Sequence, residues 1–425
     1  MRVAVFGAGY VGLVTGACMA DLGHDVVVRD ILSEKIDALR KGDVPIHEEG
    51  LTELIETNRE RLTFTTEVGE ALEGADVVYV AVGTPPTRSG DADLTAVWTV
   101  VDELQRVERR VVLAMKSTVP VGTGRTVRHR LDERGLGNVG YVSNPEFTAE
   151  GTAIRDFMHP DRIVIGSFHS ADGDTVERLH EGIEAPVVRS DVASAEMIKL
   201  AANAALVTRI SFINEIANVC EATGADVLTV AEGIGLDHRI GPSFLRAGIG
   251  FGGSCFPKDS LALKQLAANS GYSFQLLNAV IEVNELQKRR VVGKLENRLG
   301  PLRGKKIALL GLAFKPGTDD MREAPSLVLA GRLQAEGAEV SAWDPVANPS
   351  GLLDGVEIAG SALEALDGAD AAVIVTEWPE LRELDWAEAG ARMRNKLVID
   401  GRNMLDPAQL RALDFDYEGI GRAAG

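Results

Sequence analysis

The stretch Val3-Ala4-Val5-Phe6-Gly7-Ala8-Gly9-Tyr10-Val11-Gly12 decides how the first part of the chain folds. Its apolar beginning, Val3–Phe6, is typical of a buried strand, and Tyr10–Leu22 has the period of a helix that ends at Gly23. Closely spaced glycines stand where the strand turns into the helix, in the pattern GxGxxG. That pattern is weak evidence alone, but the strand before it and the helix after it make it strong. The sequence therefore predicts the opening of a doubly wound α/β domain.

Each glycine of this turn has a physical role. Gly7 permits a tight turn, Gly9 lets the backbone approach a pyrophosphate, and Gly12 lets helix and strand pack closely. The next strand, Val26–Val28, leads to Asp30, whose carboxylate can accept hydrogen bonds from the hydroxyls of an adenine ribose. The pattern predicts a dinucleotide site and favours NAD over NADP. The alternative is a purely structural strand-to-helix turn.

The pattern of the chain changes twice after this first unit. Further apolar runs at Val77–Val82 and Val111–Met115 indicate a parallel sheet covered on both faces. The middle of the chain has long helical periods, at Ala195–Thr223 and Gln275–Leu299. From Lys305 the alternation of strand and helix returns. Its predicted strands are Ile307–Leu310, Val340–Trp343, Ala371–Val375 and Leu397–Ile399.

The two alternating regions resemble each other. Asp30 has a counterpart in Asp344, and Ala75-Asp76 has one in Ala369-Asp370. We predict an α/β protein with two Rossmann-like doubly wound domains, joined by an all-α central domain with a long connecting helix. The predicted boundaries are 1–190 for the NAD-binding domain, 191–300 for the central helical domain and 301–425 for the second Rossmann-like domain. The tail after about Arg411 gives no prediction.

Composition excludes several classes of function. The 425 residues carry a formal net charge of −19, which argues against nucleic acid or an anionic membrane as a partner. No run approaches the ~18 apolar residues of a membrane helix, and we expect no signal peptide. Three widely separated cysteines predict neither a disulfide framework nor a metal site, and a reducing cytoplasm fits them.

Two threonines stand at predicted strand ends. Thr84 follows the strand Val77–Val82, and Thr118 follows Val111–Met115. Ligands of open α/β sheets bind outside the carboxyl ends of the strands, so both threonines are candidates for contact with cofactor or substrate. The alternative for each is helix capping.

Further candidates are charged or polar residues at helical spacing. Glu146 and Glu150 would share a face if their segment were helical, and one could act as a base toward water. Lys199 and Asn203 lie one turn apart on an otherwise apolar helix and could bind an oxyanion. The alternatives are a solvated helix start for the carboxylates and a lysine that reaches solvent beside an unrelated amide.

Cys255 is placed where a structural cysteine is not expected. It lies between a glycine cluster and Pro257-Lys258-Asp259, which predicts a helix start. A helix N-terminus with a nearby lysine stabilises a thiolate. Cys18 and Cys220 lie in predicted helices and are expected in the core. A hydride-accepting cofactor and a nucleophilic thiol together suggest that an alcohol is oxidised through an aldehyde, a thiohemiacetal and a thioester to a carboxylate.

Together these motifs resemble the nucleotide-sugar 6-dehydrogenases, the UDP-glucose/GDP-mannose dehydrogenase family, and most closely its members that act on UDP-glucose. The resemblance covers nearly the whole chain, as far as Gly401-Arg402-Asn403. The motifs that carry it are Phe244–Asp259, Asn144–Gly151, Lys199-x-x-x-Asn203 and Gly311–Arg322.

The resemblance implies that UDP-glucose is oxidised to UDP-glucuronate with two NAD⁺ and water, and it assigns catalytic roles. Cys255 would be the nucleophile, Lys199 and Asn203 would hold the oxyanion, and Asp259 would orient water or relay a proton. The residues implied to assist proton removal and the hydrolytic water are Glu146 and Thr118.

The resemblance also implies binding residues and an assembly. The cofactor-binding set is Gly7, Gly9, Tyr10, Val11, Gly12, Asp30, Lys35, Thr84, Thr118, Glu150, Lys258 and Arg322. The set for the sugar nucleotide is Glu146, Phe147, Thr148, Ala149, Glu150, Lys199, Asn203, Phe244, Leu245, Gly252 and Lys315. Arg239 would reach the substrate of a neighbouring subunit, and the long helix from about Ala195 would form the core of a homodimer. No metal is implied.

The chain departs from the family at two positions, and other classes of protein share some of its motifs. Arg29 and Leu32 flank Asp30 where the family often has an apolar and an acidic residue, and Arg29 could meet a 2′-phosphate. GDP-mannose 6-dehydrogenases share the cysteine motif, whereas N-acetylmannosaminuronate-forming enzymes usually have histidine where Ser254 stands. β-Hydroxyacid dehydrogenases share the first domain but need neither Cys255 nor a second α/β domain. A non-catalytic NAD sensor is a further class.

Overall fold

The computed structural model of the chain describes residues 1–105 and 109–422. Its contacts divide the chain into two compact units. The first comprises Met1–Ala202 with Leu261–Tyr272, and the second comprises Asn203–Ser260 with the residues from Ser273 onward. The three boundaries predicted from the sequence are not tested by this division and stay a prediction.

The first unit is built on an eight-stranded sheet in the order β3-β2-β1-β4-β5-β6-β7-β8. Neighbouring strands are parallel, except that β7 runs antiparallel to β6. The strands are β1 Arg2–Phe6, β2 Asp25–Arg29, β3 Leu62–Thr65, β4 Val77–Val80, β5 Val111–Met115, β6 Val139–Ser143, β7 Ile163–Ser167 and β8 Val187–Ser190. Most of these strands are buried on both faces, which explains their continuous apolar runs.

Helices cover both faces of this sheet, and their apolar residues form two core clusters with it. They are α1 Tyr10–Asp21, α2 Ser33–Lys41, α3 Leu51–Thr57, α4 Val68–Leu72, α5 Thr95–Glu103, α6 Thr123–Glu133, α7 Ala153–Met158 and α8 Ser170–Arg178. The long helix α9, Val192–Thr223, begins in this unit and continues into the second.

The second unit contains a six-stranded parallel sheet in the order β11-β10-β9-β12-β13-β14. Its strands are β9 Lys306–Leu310, β10 Glu339–Trp343, β11 Glu357–Ile358, β12 Ala371–Ile374, β13 Leu397–Asp400 and β14 Asp416–Gly419. The remaining helices are α10 Val227–Gly235, α11 Phe256–Asn269, α12 Gln275–Gln287, α13 Arg290–Leu299, α14 Pro325–Ala335, α15 Ala362–Ala365, α16 Pro379–Arg382, α17 Trp386–Arg392 and α18 Pro407–Ala412. Within 1–105 and 109–422, no helix has the length and hydropathy needed to cross a bilayer.

The two sheets confirm the internal repeat and the predicted fold class. Their first six strands follow the same order, which is the order of the doubly wound dinucleotide-binding fold. Asp76 accepts a hydrogen bond from the backbone N–H of Arg2 at 2.8 Å, and Asp370 accepts one from Lys306 at 2.9 Å. In each sheet an aspartate before the fourth strand thus holds the first residue of the first strand.

Some sequence predictions need correction. The single helix expected over Gln275–Leu299 is two helices, α12 and α13. Between them Lys288 is 1% exposed, and the backbone N–H of Arg289 bonds to Leu286 three residues back, so the α-helical pattern tightens and breaks. The tail after Arg411 contains the edge strand β14, which the sequence did not predict.

A charged cluster joins α9 to the end of the second unit. Glu221 on α9 accepts hydrogen bonds from Lys294 Nζ at 2.7 Å, from Arg290 Nη2 at 2.8 Å and from the backbone of Gly421 at 2.8 Å. Lys294 also bonds to Glu418 at 2.8 Å. Burial disfavours the ionised carboxylate, but these donors outweigh burial and lower the pKa of Glu221.

We predict that Glu221→Gln destabilises the protein by about 2 kcal/mol at neutral pH, because Lys294 and Arg290 then lose a shared anion. The folded pKa of Glu221 lies below that of an unfolded glutamate. This contribution is therefore present above the unfolded pKa and is lost as the pH falls through the folded one. Denaturant unfolding of Glu221→Gln and wild type should differ at neutral pH and converge on acidification. Glu215→Gln, at an exposed site of α9, is the control and should match wild type; an equal loss in both variants would contradict the account.

Candidate functional site

The glycine turn of the first unit has the geometry that a dinucleotide needs. A Cβ on Gly12 would lie 1.8 Å from the carbonyl oxygen of Gly7, and a Cβ on Gly7, whose φ is +108°, would lie 2.5 Å from the oxygen of Ala81. A Cβ on Gly9 would meet no protein atom within 4 Å. The turn is therefore tightly packed on its inner side and open at Gly9, where the N-terminus of α1 can receive an anion.

Asp30 lies beside this turn and shapes it. Its Oδ2 accepts a hydrogen bond from the backbone of Ala8 at 2.7 Å, and its Oδ1 accepts one from Leu32 at 3.1 Å. Lys35 Nζ lies 3.7 Å from Oδ2. Val11 and Tyr10 pack against the core beneath the turn. These residues fit NAD, since the carboxylate is held at the end of β2 with lone pairs left for a ribose.

Arg29 does not compete for this site. Its guanidinium donates to Glu103 at 2.9 Å, donates to the carbonyl of Thr66 at 3.2 Å and lies over the ring of Phe6. The side chain is buried. Because the guanidinium is bonded to Glu103, it is not available to a 2′-phosphate. Arg29 therefore does not argue against NAD as the cofactor.

The two strand-end threonines are brought together. Thr84 Oγ1 donates to the backbone carbonyl of Thr118 at 2.9 Å, and Ser117 Oγ donates to the carbonyls of Val80 and Val82. Neither threonine is a helix cap, because α5 begins at Thr95 and the cap of α6 is Gly122. The capping alternative is therefore wrong for both.

A buried ion pair lies at the end of β6. Lys199 Nζ donates to Glu146 Oε1 at 2.8 Å, and both side chains are at most 6% exposed. Glu146 Oε2 accepts from the backbone and hydroxyl of Thr148 at 2.6 and 2.9 Å. Burial opposes ionisation, but the Lys199 ammonium and the Thr148 donors lower the pKa of Glu146. The ring of Phe147 lies 5.4 Å from Lys199 Nζ and 3.7 Å from the guanidinium of Arg162.

The segment of Glu146 and Glu150 is not helical, so the expected shared helical face is wrong. Glu146 turns back onto Thr148, which replaces a helical turn by a side-chain-closed one. The backbone of Ala149 donates to Asp156 at 3.0 Å, and Gly151 donates to the hydroxyl of Tyr10 at 2.6 Å. Glu150 is partly exposed. Tyr10 therefore has a structural contact in addition to its predicted place in the cofactor turn.

Cys255 immediately precedes α11, as the sequence predicts. Its carbonyl accepts the first helical hydrogen bond, from Asp259 at 2.9 Å, and its Sγ lies 3.6 Å from Ser254 Oγ. The thiol is half-buried. Helix α11 begins at Phe256, so Pro257 is its second residue and not its first. This places the sulfur at the positive end of a helix dipole.

Asp259 connects two other candidates of the second unit. Asn203 Nδ2 donates to Asp259 Oδ2 at 2.6 Å, and Lys258 Nζ donates to Asp259 Oδ1. Asp259 is 1% exposed and Asn203 6%. The carboxylate thus orients the amide of Asn203, which lies one turn after Lys199 on α9.

The loop that precedes Cys255 is held by side-chain amides. Asn284 accepts from the backbone N–H of Phe251 at 2.8 Å and donates to its carbonyl at 3.0 Å. A Cβ on Gly252 would lie 2.2 Å from the oxygen of Glu323. Leu245 is in the core, and Phe244 is 40% exposed with a φ of +62°. A side chain at residue 252 would therefore collide with the backbone of Glu323.

Three predicted ligand residues lie near the surface of the second unit. Arg239 pairs with Asp237 at 2.6 Å, and Arg322 pairs with Asp320 at 2.7 Å. Lys315 Nζ lies 5.6 Å from the ring of Phe314. Their assignment to substrate or cofactor stays a prediction.

Asp344, the counterpart of Asp30, is already saturated. Its Oδ2 accepts from Leu312 at 2.6 Å, from Ala313 at 3.0 Å and from the indole of Trp378 at 2.9 Å. Its Oδ1 accepts from the backbone of Val346 and Ala347. No lone pair is left for a ribose, which explains why this sheet need not bind a dinucleotide.

Sequence reasoning missed two buried charged residues and one that is partly buried. Lys116 Nζ bonds to Asn144 at 3.2 Å, and burial lowers its pKa to about 8. Glu196 on α9 is 2% exposed. Arg402 donates to the carbonyls of Val375 and Gly250, and its Nη2 is buried without a hydrogen-bond partner in the described part of the chain. Each of these residues could have been noticed in the sequence as a charged residue inside or beside an apolar run.

Comparison with known proteins identifies a family for this chain. Three domains of the UDP-glucose/GDP-mannose dehydrogenase family match successive parts of this chain. They are the NAD binding domain over residues 1–184, the central domain over 193–286 and the UDP binding domain over 308–407. The expected cofactor, NAD, and the expected class, an NAD-dependent dehydrogenase, are confirmed.

Individual relatives align over the whole length. UDP-glucose 6-dehydrogenase TuaD of Bacillus subtilis is 46% identical, covering 100% of this chain and 94% of the relative. UDP-glucose 6-dehydrogenase of Rhizobium meliloti is 45% identical, covering 99% and 100%. The solved structure of a UDP-glucose dehydrogenase from Pyrobaculum islandicum is 38% identical, covers 99% of this chain and 98% of its own, and superposes with a TM-score of 0.93. The chain belongs to the UDP-glucose/GDP-mannose dehydrogenase family.

Proposed function

We propose that this chain oxidises UDP-glucose to UDP-glucuronate with two NAD⁺ and water, through a thiohemiacetal and a thioester on Cys255. The observation that carries the proposal is the position of Cys255, ahead of α11 on a glycine-lined loop, in a chain with NAD and UDP binding domains. An enzyme that stopped at the aldehyde would need no thiol. The names of the full-length relatives support UDP-glucose as the substrate.

In this mechanism Cys255 retains the intermediate. NAD⁺, when bound, supplies the hydride acceptor for both oxidations. The Cys255 thiolate adds to the aldehyde carbon, and the new C–S bond keeps the aldehyde on the protein. Loss of a hydride from that carbon leaves a thioester. Water then attacks the carbonyl, the C–S bond breaks, and the thiol returns as the carboxylate leaves.

The other catalytic residues that the resemblance implies would manage charge and protons. The Lys199 ammonium and the Asn203 amide would donate to the oxyanion of the adduct. Asp259, bonded to Asn203 at 2.6 Å, would fix that amide and orient water. Glu146 is kept ionised by Lys199 and Thr148, so it would accept a proton from the sugar hydroxyl or from water near Thr118.

The proposed binding residues fall into one set for NAD and one set for the sugar nucleotide. Gly9, at the open side of the glycine turn, and Asp30 would hold NAD, as would Lys35 and Thr84. Phe147 and Lys315 would contact the sugar nucleotide with the other residues that the resemblance implies. Arg402 is an addition, because its buried Nη2 has no partner in the described residues and would suit a hydroxyl or phosphate oxygen.

We also propose a homodimer in the cytoplasm. Helix α9 exposes Phe212 at 51% and Val219 at 58%, two turns apart on one face, which suits an apolar contact with a second copy. Arg239 would then reach a neighbouring subunit. No disulfide joins the three cysteines in the described part of the chain, which suits a reducing compartment.

The thiol is tested by Cys255→Ser. We expect the rate of UDP-glucuronate formation to fall by roughly a thousandfold or more, because serine neither traps the aldehyde nor forms a labile acyl adduct as readily. Calorimetry should show that NAD binding is retained. Cys220→Ser, at a buried site of α9, is the control and should keep turnover. Unimpaired four-electron oxidation by Cys255→Ser would remove the thiol from the mechanism.

The dimer is tested by the double variant Phe212→Glu and Val219→Glu. Light scattering on wild type should give twice the chain mass, and the charged variant should shift toward monomer because two carboxylates cannot be buried unpaired. Leu352→Glu, at an exposed leucine elsewhere in the second unit, should leave the mass unchanged. A monomeric wild type would contradict the proposal.

A further inference from the structure

Glu196 is a buried carboxylate that none of the roles above uses. It lies on α9, one helical turn before Lys199, and is 2% exposed. Its Oε2 accepts a hydrogen bond from the backbone N–H of Gly122, and its Oε1 accepts one from Gly124, both at 2.7 Å. One side chain of α9 thus binds two backbone donors at the start of α6.

Helix α6 has no cap of its own. Its N-cap is Gly122, with no side-chain hydrogen bond, and its first turn contains no acidic residue. A carboxylate is stabilised at a helix N-terminus, where backbone N–H groups are unpaired. The approach is close, because a Cβ on Gly124 would lie 2.5 Å from the ring of Tyr141 and from Val192. The anion that α6 lacks therefore comes from α9.

This bridge joins two segments that carry proposed catalytic groups. Thr118 stands in the loop that leads into Gly122, and Lys199 stands one turn after Glu196. We propose that Glu196 is a positioning residue, whose ionised carboxylate holds the Thr118 loop in register with the turn of α9 that carries Lys199. The inference rests on the proposed function, from which Thr118 and Lys199 take their roles. Small displacements of such groups are costly in rate.

The charges that face Glu196 make the bridge sensitive to pH. Burial raises the pKa of Glu196 to about 7, against the pull of the two backbone donors and of Arg125 on α6. Asp191, ahead of α9, raises it further, and the Tyr141 phenol on β6 also faces the carboxylate. A protonated carboxyl keeps only one good acceptor, so one buried N–H loses its partner as the pH falls below 7.

Protonation should loosen the bridge without unfolding the protein. The folded pKa of Glu196 lies above that of an unfolded glutamate, so the folded state takes up this proton first. Acidification from pH 8 to about 6 therefore protonates Glu196 without lowering the free energy of unfolding. At pH 8 the buried ionised carboxylate reduces that free energy, and protonation restores it. A fall in kcat with an unchanged or higher Tm is the expected signature.

The test compares wild type with Glu196→Gln, which keeps the shape but cannot titrate. For UDP-glucose, wild-type kcat should fall on the acid side with a midpoint near 7. Glu196→Gln should lower kcat at pH 8 about tenfold, with little change in KM, and remove that midpoint. Arg125→Met should move the midpoint upward, because it removes the cation that favours the ionised form. Arg130→Met is the control. It also removes one positive charge from α6, at a guanidinium that pairs with Asp102, and it should leave the midpoint unchanged.

A second measurement is independent of turnover. Hydrogen exchange at the Gly122 and Gly124 amides should be slow in wild type at pH 8, and faster in wild type below pH 7 and in Glu196→Gln, after correction for intrinsic rates. An acid midpoint that persists in an active Glu196→Gln would overturn the positioning role and leave the proposed function standing. If wild type oxidised no nucleotide sugar, the proposed function would fail. Exchange would then decide the bridge alone, and equal protection in both proteins would overturn it.

Discussion

Two glycines that admit no side chain determine the NAD half of the protein. Because the inner side of Gly12 faces the carbonyl of Gly7, and Gly7 faces Ala81, the first helix starts directly against the ends of β1 and β4. This close packing leaves the space above Gly9 open. At the same edge of the sheet the paired strands β4 and β5 bring Thr84 and Thr118 together.

The second sheet repeats the strand order of the first, but the end of its second strand differs. The strand order and the aspartates Asp76 and Asp370 are equivalent. The difference lies at the end of the second strand. Asp30 can still accept a hydrogen bond from a ligand, whereas every acceptor site of Asp344 is occupied by donors of its own chain. The end of the second strand thus offers a carboxylate acceptor in the first sheet and none in the second.

The sequence predicted the parts of the fold that depend on local patterns. Strand β5 is an uninterrupted apolar run, and the glycine turn has fixed spacing, so both were predictable. Strands β3, β6, β7 and β8 were not predicted. Strand β8 lies at the sheet edge and is largely exposed, so it has no continuous buried apolar run. The helical face expected for Glu146 and Glu150 was wrong, because the bond from Thr148 to Glu146 closes a different turn. Glu196 was missed because its partners, Gly122 and Gly124, are distant in sequence and are backbone groups.

The central claim is that one protein performs both oxidations, with Cys255 retaining the aldehyde between them. The most direct test is the yield of NADH per sugar nucleotide consumed, with UDP-glucose limiting and NAD⁺ in excess, and with GDP-mannose in a parallel reaction. We expect two NADH for each UDP-glucose. Two NADH from GDP-mannose alone would contradict the substrate, and one NADH per UDP-glucose would contradict the role of the thiol.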